Sequence, residues 1–598
     1  MIIQTPFVRR LLPLALACGL AAMAPATQAQ PAPDLFTPLP TEAPRGLNAT
    51  QRQYLGHIEQ RPTTISVTLG RVDVAALERD KMRITVSPTK ALVLTKDEVT
   101  ARDEAGFTWV GSFPGASGQT ILVVSDGNIT GTIRDETTFY QLEPVGGGMH
   151  ALVAVDPSRF PPDDSPEFNR EQKRRRTGPD KTPVFVPRTN QSLVEIDVLV
   201  AYTTKAKATV ADIDAMVDLA IAETNQAYKN SGIAIELKLV DSFELVGYSE
   251  TGKSPADVLA DFKGRQEVNT RRAFSGADVA VLLENLNTDN CGLADVILAG
   301  PSTAFAVVKI YCAAANLSFA HEVGHLQGAR HNPENDTNDW PFSYGHGLQH
   351  PASNATQRFR TVMAYPCTTP CDPRISYFST PNRSYNGVPV GTAARNDNAR
   401  VLNETAKQVA DFMNRPFHGY RFCALEHGRC GFYGTKNVAY GANGKFYYKT
   451  AAGGLDCNNG TFGDPIFVNK ACYVGPEFYD FCAKEGERCN FTGTMNVAYG
   501  TDGKFFYRTA TSGIDCNNGT FGDPIKENKA CYVGPVGTTF CATQDDQCSF
   551  VGSKTVVFGT HGYWVSTRAT DGVRCDTSTF GEVVFPDGVK ASCYIVVE

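Results

Sequence analysis

Between residues 63 and 155 apolar and polar side chains alternate in short runs, among them Ile65-Ser66-Val67-Thr68-Leu69 and Thr120-Ile121-Leu122-Val123-Val124, separated by Gly and Asp turns. A period of two marks half-buried strands, so this stretch predicts a β-rich unit. Beyond it the period changes. Residues 196–202 form an apolar run of strand length, and Ile213, Met216, Val217, Leu219, Ala220 and Ile221 recur at helical spacing within a helix expected over 210–230. A strand is expected over 234–240, a helix near 254–273, a strand over 278–283 and a closing helix over 398–413. Strands alternating with helices imply an α/β (α+β) unit, bounded at about residues 193 and 415.

After residue 415 the chain repeats itself. Residues 422–475, 481–534 and 540–598 are three copies of one pattern, and the first two share Cys-Asn-Asn-Gly-Thr-Phe-Gly-Asp-Pro-Ile from Cys457 and Cys516. Each copy carries four cysteines, with 6, 26 and 14 residues between them in the first two and a last gap of 17 in the third. Units this small need staples, so three disulfide-bonded β-rich repeats are expected, their connectivity open. In Phe446-Tyr447-Tyr448 and Phe505-Phe506-Tyr507 neighbouring rings point to opposite faces of a strand. Outward rings beside Asn and Asp suit a glycan ligand; a packed core without a ligand is the equal alternative.

The 598 residues exceed one hydrophobic core, and the net charge of −7 gives no general attraction for phosphate backbones or anionic lipid. Nucleic acid is therefore not an expected partner. Arg9 and Arg10 precede an apolar stretch to about Ala24 and then Thr27-Gln28-Ala29, which predicts a secretory signal over 1–29 and an extracellular protein. No later segment is apolar enough to span a membrane. Of the 17 cysteines all but Cys18 lie beyond the signal, an even set as an oxidising compartment favours. The proline-rich stretch 161–187 contains Lys173-Arg174-Arg175-Arg176, a site for proteolytic nicking between a cysteine-free domain and a new fold. This predicts a propeptide over 30–176 and a linker over 177–192.

The segment His321-Glu322-Val323-Gly324-His325-Leu326-Gln327-Gly328-Ala329-Arg330-His331 carries the chemistry. On a helix His321 and His325 share one face and can bind one ion, with Glu322 beside them and not a ligand. Gly328 permits the turn that returns His331 to the same ion. Three neutral imidazoles plus water make an open, catalytic Zn2+ site, whereas a structural zinc takes four protein ligands. Chance assembly of this pattern is on the order of 10⁻⁵ for such a chain.

At these residues the chain resembles the metzincin zinc metallopeptidases, reprolysin-like and of bacterial secreted type, over about 193–415. The resemblance implies a metzincin-like catalytic domain and a zinc endopeptidase acting on proteins or peptides and made as a proenzyme. It further implies a Met-turn at Thr361-Val362-Met363-Ala364-Tyr365, with Met363 as an apolar floor under the ligands and Tyr365 near zinc as a catalytic hydrogen-bond donor. Asn332 after the third histidine departs from the residues usual there. Cys291, Cys312, Cys367 and Cys371 allow three connectivities, of which 291 with 312 and 367 with 371 is the one expected; the second would tie a loop bordering the cleft. A carbohydrate-binding adhesin with a vestigial metal site is the competing reading, opposed by Glu322, and a protease restricted to glycosylated proteins is another. Structural Ca2+, cleavage preference and oligomeric state stay open.

Overall fold

The computed structural model describes residues 32–164 and 193–596 apart from short breaks, the longest at 41–45, 368–370, 414–419 and 581–589. The expected signal 1–29, the basic run Lys173–Arg176 and the linker 177–192 lie outside the described residues.

The N-terminal unit is a closed barrel of nine strands: β1 (Asp34–Pro38), β2 (Thr64–Val72), β3 (Lys81–Ser87), β4 (Lys90–Asp103), β5 (Gly106–Ser112), β6 (Gln119–Ser125), β7 (Asn128–Arg134), β8 (Phe139–Gly146) and β9 (Met149–Val155). Around it the order is β1-β2-β9-β8-β7-β6-β5-β4-β3, and parallel pairing of β1 with β3 closes it. The unit starts earlier than residue 63: β1 is too short to show a period, and helix α1 (Ala49–Glu59) is set by a capping box from Asn48 and Gln51. The unbroken apolar run in β6 has a physical reason. Leu122 and Val124 point into the barrel with Trp109, while Ile121 and Val123 point out into the core of the next domain.

That domain is built on a five-stranded sheet ordered β11-β10-β12-β14-β13, from β10 (Val194–Thr203), β11 (Ile235–Leu245), β12 (Val279–Glu284), β13 (Gly292–Ala294) and β14 (Phe305–Lys309). All pairs are parallel except β13 with β14, which leaves β13 as an antiparallel edge. Helix α2 (Ile213–Ser231), capped by Asp212 and stopped by left-handed Gly232, is buried on nearly every face because the sheet lies on one side and the barrel on the other. The helix expected near 254–273 is two, α3 (Pro255–Gly264) and α4 (Gln266–Ser275), divided by extended Arg265. Helix α5 (Ser318–Leu326) follows the sheet, and α6 (Asn398–Ala410) closes the domain.

Buried Glu223 of α2 holds the barrel through Arg134, whose Nη1 is 2.6 Å from Oε1 and whose Nη2 donates to the carbonyls of Ala314 and Ala315. Phe160, at the end of the barrel unit, packs with the Cys291–Cys312 disulfide. The chain after Phe160 therefore leaves the barrel beside β13.

In each repeat the first two cysteines pair and the last two pair, giving 423–430, 457–472, 482–489, 516–531, 541–548 and 575–593. The 291–312 and 367–371 pairs are present as expected. The repeats form a row: Phe505 of the second packs on the first, and Trp564 of the third on the second, while Phe274 of α4 packs against the first. Tyr447 and Phe506 stand outward while Phe446, Tyr448, Phe505 and Tyr507 are half-buried.

Each of the first two repeats contains a polar network around a buried lysine. The Tyr440 hydroxyl is 2.6 Å from Glu426 Oε1, and Lys470 Nζ lies 3.1 Å from Glu426 and 3.2 Å from Asp464. Tyr499, Glu485, Lys529 and Asp523 repeat it. The third repeat replaces three members together, by Phe558, Gln544 and Ala591, and Gln544 Oε1 instead accepts from the Ala591 amide at 3.0 Å. Losing one partner strands a buried charge, whereas losing all of them does not. Glu426→Gln alone is therefore expected to lower the first repeat's stability by about 1–2 kcal/mol, and adding Tyr440→Phe and Lys470→Ala should recover most of it. Hydrogen exchange of strand Ala471–Gly475 measures this; a triple variant as weak as the sum of the singles would contradict it.

Candidate metal centre and its cleft

Every residue of α5 from Ser318 to Leu326 is buried. Its spacing places His321 and His325 one turn apart, and Gly328, at φ +106°, turns the chain so that His331 faces them. The Nε2 atoms of the three rings form a triangle with sides of 3.1, 3.1 and 2.9 Å. His321 Nδ1 is 2.8 Å from the Val362 carbonyl and His325 Nδ1 2.9 Å from the Ala329 carbonyl. A carbonyl only accepts, so each of these Nδ1 atoms carries the proton and each Nε2 is a bare lone pair. Burial above all, then neighbouring charges, pushes the pKa of His321 and His331 well below the usual value and that of His325 to about 4, so all three rings are neutral.

Bare nitrogens at this distance repel one another unless a cation lies between them. Their spacing is near the ~3.3 Å that separates two nitrogens each about 2.0–2.1 Å from a tetrahedral ion. The donor set, three neutral imidazoles, fits Zn2+.

Met363 is fully buried beneath α5, and its position demands Gly324: a Cβ there would lie 2.7 Å from Met363 Sδ. The Tyr365 ring stacks on that of His331, with centroids 4.0 Å apart. Asn332, the unusual residue after the third histidine, ties the two segments together by accepting from the Tyr365 amide at 3.0 Å. Glu322 is buried beside the triad, and neither carboxylate oxygen makes a hydrogen bond of ordinary geometry. Burial first, and the nearby Asp163 second, hold its carboxyl well above the usual range. All six expected residues, His321, Glu322, His325, His331, Met363 and Tyr365, thus meet at one place.

Other residues here carried no signal in the sequence. His346 Nδ1 donates to the His331 carbonyl at 2.7 Å and fixes the third ring's backbone. Gly292 of β13 faces Glu322, and a Cβ there would lie 2.6 Å from Oε1. Asp163, from the tail of the barrel unit, is buried against His321 and Glu322, with one potential ligand atom of each within 4.8 Å of the others. Its Oδ2 is 2.8 Å from Nη1 of buried Arg374, next to which lies Arg360. The tail follows the edge strand: Cys291 N donates to Pro162 O at 2.9 Å and Asp164 N to Gly292 O at 2.8 Å. The outer edge of β13 thus hydrogen-bonds an extended segment, the chain's own tail, directly beside Glu322.

A sequence profile described as metallo-peptidase family M12 matches residues 192–379. The chain is 37% identical over 380 residues to a peptidyl-Asp metalloendopeptidase of Stenotrophomonas maltophilia strain R551-3, covering 60% of this chain and 89% of that one. It is 38% identical to the protein of the same description from strain K279a, covering 61% and 91%. The corresponding protein of Xanthomonas campestris pv. campestris is 35% identical, covering 61% and 90%.

Because a methyl group at position 292 must displace Glu322, Gly292→Ala is expected to lower turnover at least about tenfold while leaving the metal and the melting temperature near wild type. Steady-state kinetics with metal analysis on the same sample tests this. Unchanged turnover would show that Glu322 tolerates displacement.

Proposed function

The chain belongs to the M12 reprolysin-like metallopeptidases and is a metalloendopeptidase, and from that premise we propose a zinc enzyme that hydrolyses peptidyl–Asp bonds in proteins. The observation that carries the assignment is the triangle of imidazole Nε2 nitrogens with Glu322 beside it. His321, His325 and His331 would hold the zinc. When bound, that ion supplies a Lewis acid that polarises the scissile carbonyl and makes water acidic at neutral pH.

The chain's own groups do the rest. The substrate backbone pairs with the edge of β13, as the tail 162–164 does, which brings the scissile bond beside Glu322. Glu322 takes the proton of the attacking water and passes it to the leaving nitrogen. Tyr365 donates to the oxygen on which charge develops. Met363 packed under the helix favours a metzincin fold for the domain.

The same reading makes residues 30–176 a propeptide and the protein a secreted proenzyme. Eight disulfides among the described residues suit an oxidising compartment. Among the described residues no helix is long and apolar enough to cross a membrane. The exposed rings of Tyr447 and Phe506, at equivalent places in two repeats, favour a glycan-binding role for that row.

Peptides released from a protein mixture should begin with Asp when sequenced by mass spectrometry; new termini without that bias would refute the Asp-directed reading. Glu322→Ala should keep zinc and fold and lose proteolysis. Tyr365→Phe should keep zinc and lose about 10²–10³ in turnover with little change in substrate binding. Turnover within about threefold of wild type would remove Tyr365 from the mechanism.

A further inference from the structure

We propose that Arg374 is the residue that reads the acidic side chain of the substrate, and that Asp163 occupies this subsite in the full chain. The inference rests on the Asp-directed reading above and names the group responsible for it.

Arg374 is nearly inaccessible, yet only part of its hydrogen-bonding capacity goes to the domain that contains it. Nη1 donates to the Asn316 carbonyl at 2.7 Å, Nη2 lies 3.3 Å from the Ala364 carbonyl, and Nε has no partner. Neighbouring Arg360 already has an acid of its own, with Nε donating to Asp372 Oδ1 at 2.9 Å, and it also donates to the Ala364 carbonyl. Burial and then Arg374 pull the Arg360 pKa down to about 10, as expected where two guanidinium groups crowd a buried site. The acid that answers Arg374 is Asp163, 211 residues earlier in the sequence and on the tail of a different domain.

That ion pair is a poor choice if it serves only stability. It brings a second buried carboxylate close to Glu322, and pairs of buried charges give little net stabilisation. Its placement suits recognition better. Asp163 lies between the two residues that pair with Cys291 and Gly292 on the edge strand, so its side chain enters where a substrate side chain next to the scissile bond would enter. Once the tail leaves, Arg374 is a buried cation without an acid, and a substrate carboxylate is the group that restores the pair. Arginine suits this task because its planar donors match a carboxylate. The segment is also held rigidly. The Cys367–Cys371 disulfide lies just before it, and Arg360 N donates to Pro373 O and Ile375 N to Arg360 O, at 3.1 and 2.9 Å.

The test uses the full chain, before and after it is processed, and paired peptides that differ only in Asp or Asn after the scissile bond. Arg374→Gln is expected to reduce the Asp-over-Asn ratio of kcat/KM by at least about 10²-fold. If Arg374→Gln does not fold, the tail decides the matter. A peptide of residues 158–164 should inhibit the processed enzyme competitively, and its Asp163→Asn analogue should inhibit at least about tenfold more weakly. Unprocessed Asp163→Asn chain should also be more active than unprocessed wild type. A wild-type enzyme that cleaves at Asp, with an Arg374→Gln variant that keeps the ratio or tail peptides that inhibit equally, overturns the proposal and leaves the Asp-directed reading intact. A wild-type enzyme with no preference for Asp overturns both.

Discussion

Three imidazole Nε2 atoms that converge to within 2.9–3.1 Å of one another are the constraint on which the rest of this unit depends. The backbone carbonyls of Val362 and Ala329 accept the Nδ1 protons of His321 and His325 and so leave both Nε2 atoms bare. Burial keeps the rings neutral, so protonation does not relieve the repulsion. Each supporting feature serves that convergence. Gly324 lets Met363 in beneath the helix, Gly328 turns the chain, and His346 holds the carbonyl of the third ligand. A cluster of neutral imidazoles built this firmly could hold a metal ion.

The second constraint is the outer edge of the sheet. An edge strand has unpaired donors and acceptors that will take up any extended chain. In this protein β13 pairs with β14 on one side, and on the other it meets the tail that leaves the barrel after Phe160. The barrel is placed for that purpose by the apolar outer face of β6 and by Arg134 on buried Glu223. One strand edge thus links the fold of the N-terminal unit to access to Glu322.

Much of this was legible in the sequence because it is local. The His-Glu-His-His spacing, the repeats and the main strands of the sheet lie in short windows where period and spacing report geometry. The residues that escaped are those whose meaning lies in distant partners. Asp163 and Arg374 are unremarkable in their own neighbourhoods, and the three-residue β13 is too short to carry a period. Gly292 looks like any turn glycine until Glu322 is seen against it. The disulfide pattern of the repeats was undetermined for a related reason, since spacing does not choose among connectivities. The joint replacement of Tyr, Glu and Lys in the third repeat became interpretable only once their contacts were known.

X-ray absorption at the zinc edge, with metal stoichiometry on the same full-length sample, tests the central claim most directly. The account predicts one zinc per chain with three imidazole nitrogens at about 2.0–2.1 Å, and loss of that signal in His331→Ala. A chain that holds no stoichiometric metal, or a zinc whose coordination is unchanged in His331→Ala, would contradict it.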